Sequence, residues 1–237
     1  MDTGETRTDL ARRREVKYAL PQMDIGKLRR LLEVNCQRLI HSGQVSVVRS
    51  IYFDDSRLSA CRANLDGLGL RRKLRIRWYD TPMPGTKFFA EIKWRDNRAT
   101  GKHRMQMCSD KPLAELSYEE IRRGLVDSIP EYLAADAARY HEPVVVVEYK
   151  REHFASSDGL RITLDYDLRF YDQFAKRMIS LTFPKPLEGF IVLEGKTPLG
   201  RESELRQWFH PLTPRATRCS KYVYGCREIG IIGSHEI

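Results

Sequence analysis

Long apolar runs are missing from this sequence. The longest candidate is the stretch Val144–Val147, far short of the roughly 20 residues that a membrane-crossing helix needs. Cysteine is sparse: Cys36, Cys61, Cys108, Cys219 and Cys226 are odd in number and form no CxxC. That excludes a disulfide framework or zinc site as the leading idea and predicts reduced thiols. The six histidines, His41, His103, His141, His153, His210 and His235, are scattered, so any metal would fall to carboxylates. GxxxxGKS or GxxxxGKT, GxGxxG before a helix, HExxH and GxSxG are all absent, which removes the usual nucleotide, zinc and acyl-transfer leads. No internal repeat or low-complexity linker occurs. Met1–Arg14 is polar and mixed in charge, with no apolar centre, and is not read as a secretory leader.

What is present is a globular composition with a basic excess. The 237 residues are 41% hydrophobic and carry a net charge of +9, enough for a real core. The charge is concentrated. Between Arg71 and Arg104 lie eleven Lys/Arg and three Asp/Glu. Such a cluster predicts a polyanionic partner: nucleic acid, a membrane surface or phosphates.

Periodicity predicts an α+β fold dominated by antiparallel sheet, with about eight strands. Strands are expected over Arg13–Leu20, Val45–Phe53, Leu70–Tyr79, Thr86–Arg95, Lys102–Met107, Val144–Phe154, Leu160–Leu168 and Gly189–Lys196. Helices are expected over Ile25–Ile40 behind an Asp24 cap, at Leu58–Ala63, through Leu113–Arg139 with a break near Pro130, over Glu202–Phe209 and around Ser220–Gly225. In Leu70–Tyr79, Arg71, Lys73, Arg75 and Arg77 fall on one face, with Leu74, Ile76 and Trp78 on the other. Basic residues stand in phase on at least five strands: Arg75 and Arg77, Lys93, Lys102 and Arg104, Arg151, and Arg161. Many cations therefore converge on one surface, and too few carboxylates accompany them, which reads as a phosphate clamp. Glu15, Glu91, Glu148 and Glu194 are the strand carboxylates. Three of them share the form Glu-x-Lys, with Lys17, Lys93 and Lys196 two residues on. Each such pair could set a metal-binding carboxylate beside a phosphate-binding ammonium. For any one pair a plain salt bridge is the simpler reading.

The motifs come in a particular order: Arg13-x-Glu15-x-Lys17-Tyr18, Ser50-Ile51-Tyr52-Phe53-Asp54, Arg71-x-Lys73-x-Arg75-x-Arg77-x-Tyr79, Glu91-Ile92-Lys93, Tyr149-x-Arg151-x-x-Phe154, Arg161-x-Thr163-x-Asp165, Glu194-x-Lys196 and Ser220-Lys221-Tyr222. This series resembles the VTC domain, the catalytic domain of the vacuolar transporter chaperone polyphosphate polymerases, within the triphosphate tunnel metalloenzymes. The resemblance spans about residues 13–226, in a stand-alone bacterial-type form without the accompanying SPX domain or membrane helices. It implies a closed antiparallel β-barrel tunnel of about eight strands with helices packed outside and basic faces inward. It also implies one domain over 13–228, between a flexible segment 1–12 and a tail 229–237.

The implied activity is transfer of the ATP γ-phosphate to a growing polyphosphate chain. Arg75, Arg77, Lys221 and Glu194 would be catalytic. Lys17, Lys93, Lys102, Tyr149, Arg151, Arg161, Lys196 and Ser220 would join Arg75, Arg77 and Lys221 in binding ATP, polyphosphate or triphosphate. Glu194 would hold a divalent metal, Mn²⁺ or Mg²⁺. No nucleic acid partner is expected. The reduced thiols predict a cytoplasmic protein, and a membrane-protein partner at the inner face of the membrane is left open. It does not fix the oligomeric state. Arg13 stands where the related CYTH branch has its first Glu, which favours the VTC branch. Two other readings remain open: an inorganic or nucleoside triphosphatase of the same fold, and a non-enzymatic polyanion or nucleic-acid binding module. Against the latter, Trp78 and Trp94 fall on the apolar face, opposite the cations.

Overall fold

A computed structural model describes residues 13–97, 99–198, 200–209 and 219–233. The expected segment 1–12 and the last four residues of the expected tail lie outside the described residues. In chain order the elements are β1 (Arg13–Pro21), α1 (Ile25–Asn35), β2 (Gln37–Leu39), β3 (Ser46–Asp54), α2 (Ser59–Leu65), β4 (Leu70–Tyr79), β5 (Lys87–Asp96), β6 (Ala99–Cys108), α3 (Tyr118–Ser128), α4 (Ala134–Arg139), β7 (Glu142–Ala155), β8 (Arg161–Asp172), β9 (Lys185–Leu187), β10 (Phe190–Pro198), α5 (Glu202–Phe209) and α6 (Lys221–Glu228).

All ten strands form one sheet in the order β1-β10-β8-β7-β3-β4-β5-β6, with β2 added to β7 and β9 to β8. Every pairing is antiparallel. The expectation of a closed barrel is not met among the described residues: β1 and β6 end the path, with no ladder between them. The sheet is nonetheless strongly curved. Lys93 on β5 reaches Glu15 on β1 at 3.4 Å, although five strands separate β1 from β5 along the path. Side chains on one face therefore meet across a concave trough, as accumulated strand twist requires.

The convex face is apolar and carries α1, α3 and α5. Ile51, Phe53, Leu74, Ile76, Phe88, Ala90 and Ile92 are buried with Ile121 and Leu125 of α3. Tyr18, Leu20, Phe154, Ile162, Leu164, Ile191 and Leu193 are buried with Leu28 and Leu32 of α1 and Phe209 of α5. A Ser117–Glu120 capping box starts α3, and Asp24 accepts from Gly26 and Lys27 to start α1. Helix α1 ends five residues before the expected Ile40. Val34 and Ile40 are exposed, and Gln37–Leu39 instead pairs with the edge of β7. The long helix expected over Leu113–Arg139 is broken into α3, α4 and two single turns, the second just after Pro130. Among the described residues no helix is long and apolar enough to cross a membrane.

Helix α6 packs on the inner face of the sheet. Its Tyr222 stacks on Tyr52 at 5.0 Å and donates to Asp54 at 2.6 Å. Asp54 is fully buried and also accepts from the backbone of Ala60 and Cys61. At Gly225 a Cβ would lie 2.9 Å from Phe170 and 3.2 Å from Val145, so only glycine lets the helix come this close.

Candidate anion-binding site

Alternation on each strand sends one set of side chains into the trough. From β1 come Glu15 and Lys17, from β10 Glu194 and Lys196, from β8 Arg161 and Asp165. Strand β7 adds Tyr149 and Arg151, β4 adds Lys73, Arg75 and Arg77, β5 adds Glu91 and Lys93, and β6 adds Lys102 and Arg104. The register puts like charges directly opposite each other: Arg71 faces Arg95, Lys73 faces Lys93, Lys93 faces Lys102, and Lys196 faces Arg161. Such cross-strand pairs are destabilising unless something neutralises them.

Carboxylates offset part of this charge. Glu91, only 1% exposed, accepts from Arg75 Nε at 2.8 Å and Nη2 at 2.6 Å, and from Lys102 at 3.1 Å. Burial works against its charge, but Arg75, Arg77 and Lys102 hold it well below the usual carboxylate range. Asp165 takes both arms of Arg151 at 2.6 and 2.7 Å and the Lys221 ammonium at 2.5 Å. Lys221 and Arg151 also lie over the Tyr149 ring at 4.7 and 5.2 Å. A bulge between Glu148 and Lys150 leaves Tyr149 without a β8 partner at this point, a device that re-aims a side chain. Lys17 bridges Glu15 at 2.9 Å and Glu194 at 3.4 Å, and Lys196 lies 3.5 Å from Glu194.

Two other cations of the layer, Arg77 and Lys73, have no carboxylate partner among the described residues. Arg77, 9% exposed, donates to Ser50 Oγ at 2.9 Å and makes no ion pair among the described residues. Lys73 donates to Ser220 Oγ at 2.9 Å, at the start of α6. Its proton affinity is held well below that of an ordinary lysine, by burial first and then by Lys17, Lys93 and Arg71. Tyr52 also reports the positive potential: burial opposes its phenolate, yet Arg75 and Arg77 bring the phenol down to about 8. His153 falls to about 4, through burial and then Arg151. The Thr163 hydroxyl, on the same face, is buried without a partner.

The structure thus brings together Lys17, Arg75, Arg77, Lys93, Lys102, Tyr149, Arg151, Glu194, Lys196, Ser220 and Lys221. Arg161 is exposed at the start of β8, opposite Lys196. Of the three Glu-x-Lys pairs, two form contacts. Glu91 instead turns to Arg75, and Lys93 turns to Glu15. Glu148 is not in the layer: it lies on the other face, bound to Arg49 at 2.5 Å. Lys73, Tyr52 and Asp165 escaped the sequence-based selection of site residues. The in-phase position of Lys73 between Arg71 and Arg75 was the signal available for it.

Among the described residues no three His, Cys, Asp or Glu side chains gather into a metal-ligand set. Glu15 and Glu194 converge on one ammonium and feel each other's charge. Both carboxylates stay ionised: burial opposes Glu194, but Lys17, Lys196 and Arg151 outweigh it. Two hard oxygen donors fit Mg²⁺ or Mn²⁺ held jointly with phosphate oxygens, which is how such ions usually bind.

The fold and the layer define the chain as an α+β protein with a cation-lined concave sheet. The model of the VTC domain matches residues 12–229, and the chain belongs to that family. No curated protein matches the sequence. Among solved structures, the PH1819 protein from Pyrococcus horikoshii OT3 is similar at 13% identity, over 89% of this chain and 97% of that one, with a TM-score of 0.48. A putative adenylate cyclase from Vibrio parahaemolyticus is similar at 11% identity, over 85% of this chain and 84% of that one, with a TM-score of 0.44. The inorganic triphosphatase NE1496 is similar at 11% identity, over 81% of this chain and 78% of that one, with a TM-score of 0.31.

Proposed function

We propose that the concave layer binds ATP and a phosphate chain and transfers the γ-phosphate to the chain end, as a metal-dependent polyphosphate polymerase. The observation that carries this reading is the set of like-charge cross-strand pairs facing one trough. A sheet keeps such pairs at a cost in stability, and a polyanion removes that cost. Family membership supports a phosphate-handling role.

Phosphoryl transfer depends mainly on positioning and charge stabilisation. Arg77 and Lys73, which have no carboxylate partner among the described residues, are the groups most ready to take phosphate oxygens. Arg75 and Arg151 are held rigid by Glu91 and Asp165, so their free edges are pre-oriented. Lys221 enters from the start of α6, anchored by Asp165, and supplies a point charge beside Arg151. Lys73 gains proton affinity when an anion offsets Lys17 and Lys93, so binding fixes its charge where negative charge builds up. Glu194 and Glu15 would hold a divalent ion that offsets charge on phosphate oxygens. No side chain need act as nucleophile, because the chain end attacks directly.

The test is incubation of the purified protein with ATP and Mn²⁺ or Mg²⁺, with products resolved by gel. Long phosphate chains and ADP are expected. Free phosphate as the sole product would replace this reading with hydrolysis of triphosphates.

A further inference from the structure

A second cationic cavity of about 750 Å³ lies outside the trough, between α2, the start of β4 and α4. Five arginines line it, Arg57, Arg62, Arg71, Arg72 and Arg139, against two carboxylates, Asp66 and Asp136. Asp136 is engaged by Arg72 at 3.4 Å, and Arg139 is held by Asp55 at 3.3 Å. Arg57 and Arg62 are exposed and make no ion pair among the described residues. Arg72 Nη1 is buried without a hydrogen-bond partner. The balance of charge selects an anion, and the spread of guanidinium groups selects one with many oxygens.

One residue, Arg71, belongs to both the cavity and the cationic strand face. It shares that face with Lys73, Arg75 and Arg77. At about 3.4 Å per residue, the column from Arg77 to Arg71 runs roughly 20 Å along β4. A triphosphate is too short to occupy both ends, whereas a longer linear chain can follow the column out. We propose that the arginine groove at the head of β4 is a separate subsite for the distal part of an inorganic polyphosphate chain whose end lies in the trough. This rests on the function proposed above for the trough.

The experiment compares the full chain with an Arg57→Ala, Arg62→Ala double variant. Both side chains are exposed, so the fold should hold, as circular dichroism and melting will verify. Binding of tripolyphosphate and of long-chain polyphosphate is measured across a salt series. Tripolyphosphate affinity should not change. Long-chain affinity should fall about tenfold, on the order of threefold for each exposed guanidinium, with a shallower salt dependence. An Arg57→Lys, Arg62→Lys variant should keep most of the long-chain affinity. Unchanged long-chain affinity overturns the subsite, and so does an equal loss for both ligands. A loss confined to an oligothymidylate control would assign the groove to nucleic acid instead. If the unmodified protein binds long chains but not tripolyphosphate, and the double variant loses them, the groove stands and the trough reading falls.

Discussion

Arg75 and Arg77 sit two residues apart on the same strand face, and the structure predicts unequal stability phenotypes for them. Removing Arg75 takes both arms of a guanidinium from Glu91, a carboxylate 1% exposed. Breaking a buried pair from one side costs about 3–5 kcal/mol. Lys102 still reaches the other oxygen at 3.1 Å, which places Arg75→Ala near the lower limit, at about 3 kcal/mol. In a chain of this size that is roughly 6–12 °C of melting temperature. Arg77→Ala takes a donor from the Ser50 and Tyr79 hydroxyls and removes one positive charge from a crowded face. The two effects oppose each other, so the change should stay within about 1 kcal/mol, under roughly 4 °C. Both variants should bind tripolyphosphate more weakly. Thermal unfolding without ligand, alongside calorimetric titration, separates the two quantities. Equal destabilisation by both variants would refute the reasoning, since it would mean that Glu91 does not depend on Arg75 or that the layer is not under repulsion. Unchanged affinity in Arg77→Ala would show that the trough is not where phosphate binds.

Two further outcomes follow from the same electrostatics. Tyr52 should titrate near pH 8 by phenolate absorbance, Tyr52→Phe should abolish that step, and tripolyphosphate should raise it by offsetting Arg75 and Arg77. Because its folded value lies below the ordinary 10, this ionisation adds stability that is complete above pH 10 and is lost as pH falls through about 8; a flat stability profile there would disprove it. Glu194→Gln should weaken Mn²⁺ binding at least tenfold, on the scale of losing one ligand carboxylate, in titrations with tripolyphosphate present. Undiminished Mn²⁺ binding would move the metal elsewhere.

The strands were legible because period-two alternation of charge and aliphatic residues survives any detail of register. Leu70–Tyr79 reads directly as Leu74, Ile76 and Trp78 against Lys73, Arg75 and Arg77, and the structure buries the apolar set. The end of α1 was not legible, because its continuation pairs with an edge of β7 that lies more than a hundred residues away. Partner choice was hidden for a related reason. Residues two apart on a strand are about 7 Å apart, whereas cross-strand neighbours lie about 5 Å apart. Glu91 therefore takes Arg75 across the ladder rather than Lys93 along it. Lys73 differs from Arg75 only in lacking a facing carboxylate, and register alone decides that. Contacts across the trough, such as Lys93 with Glu15, depend on curvature that no local pattern states.

The pairing of β1 with β10 has a consequence for how the protein is made. Arg13 faces Pro198, so β1 emerges from the ribosome long before its partner strand β10 is translated. Closing a loop of roughly 180 residues is entropically slow. In the meantime Tyr18 and Leu20, destined for the core, stand on an unpaired strand that other nascent chains could template. The site inherits the same delay. Lys17 sits on that early strand, Glu194 on the late one, and Lys221 later still. Phosphate-binding competence should thus appear abruptly once Lys221 has been translated, and a ribosome stalled before Lys221 would display the strands of the sheet without the helix that completes the site.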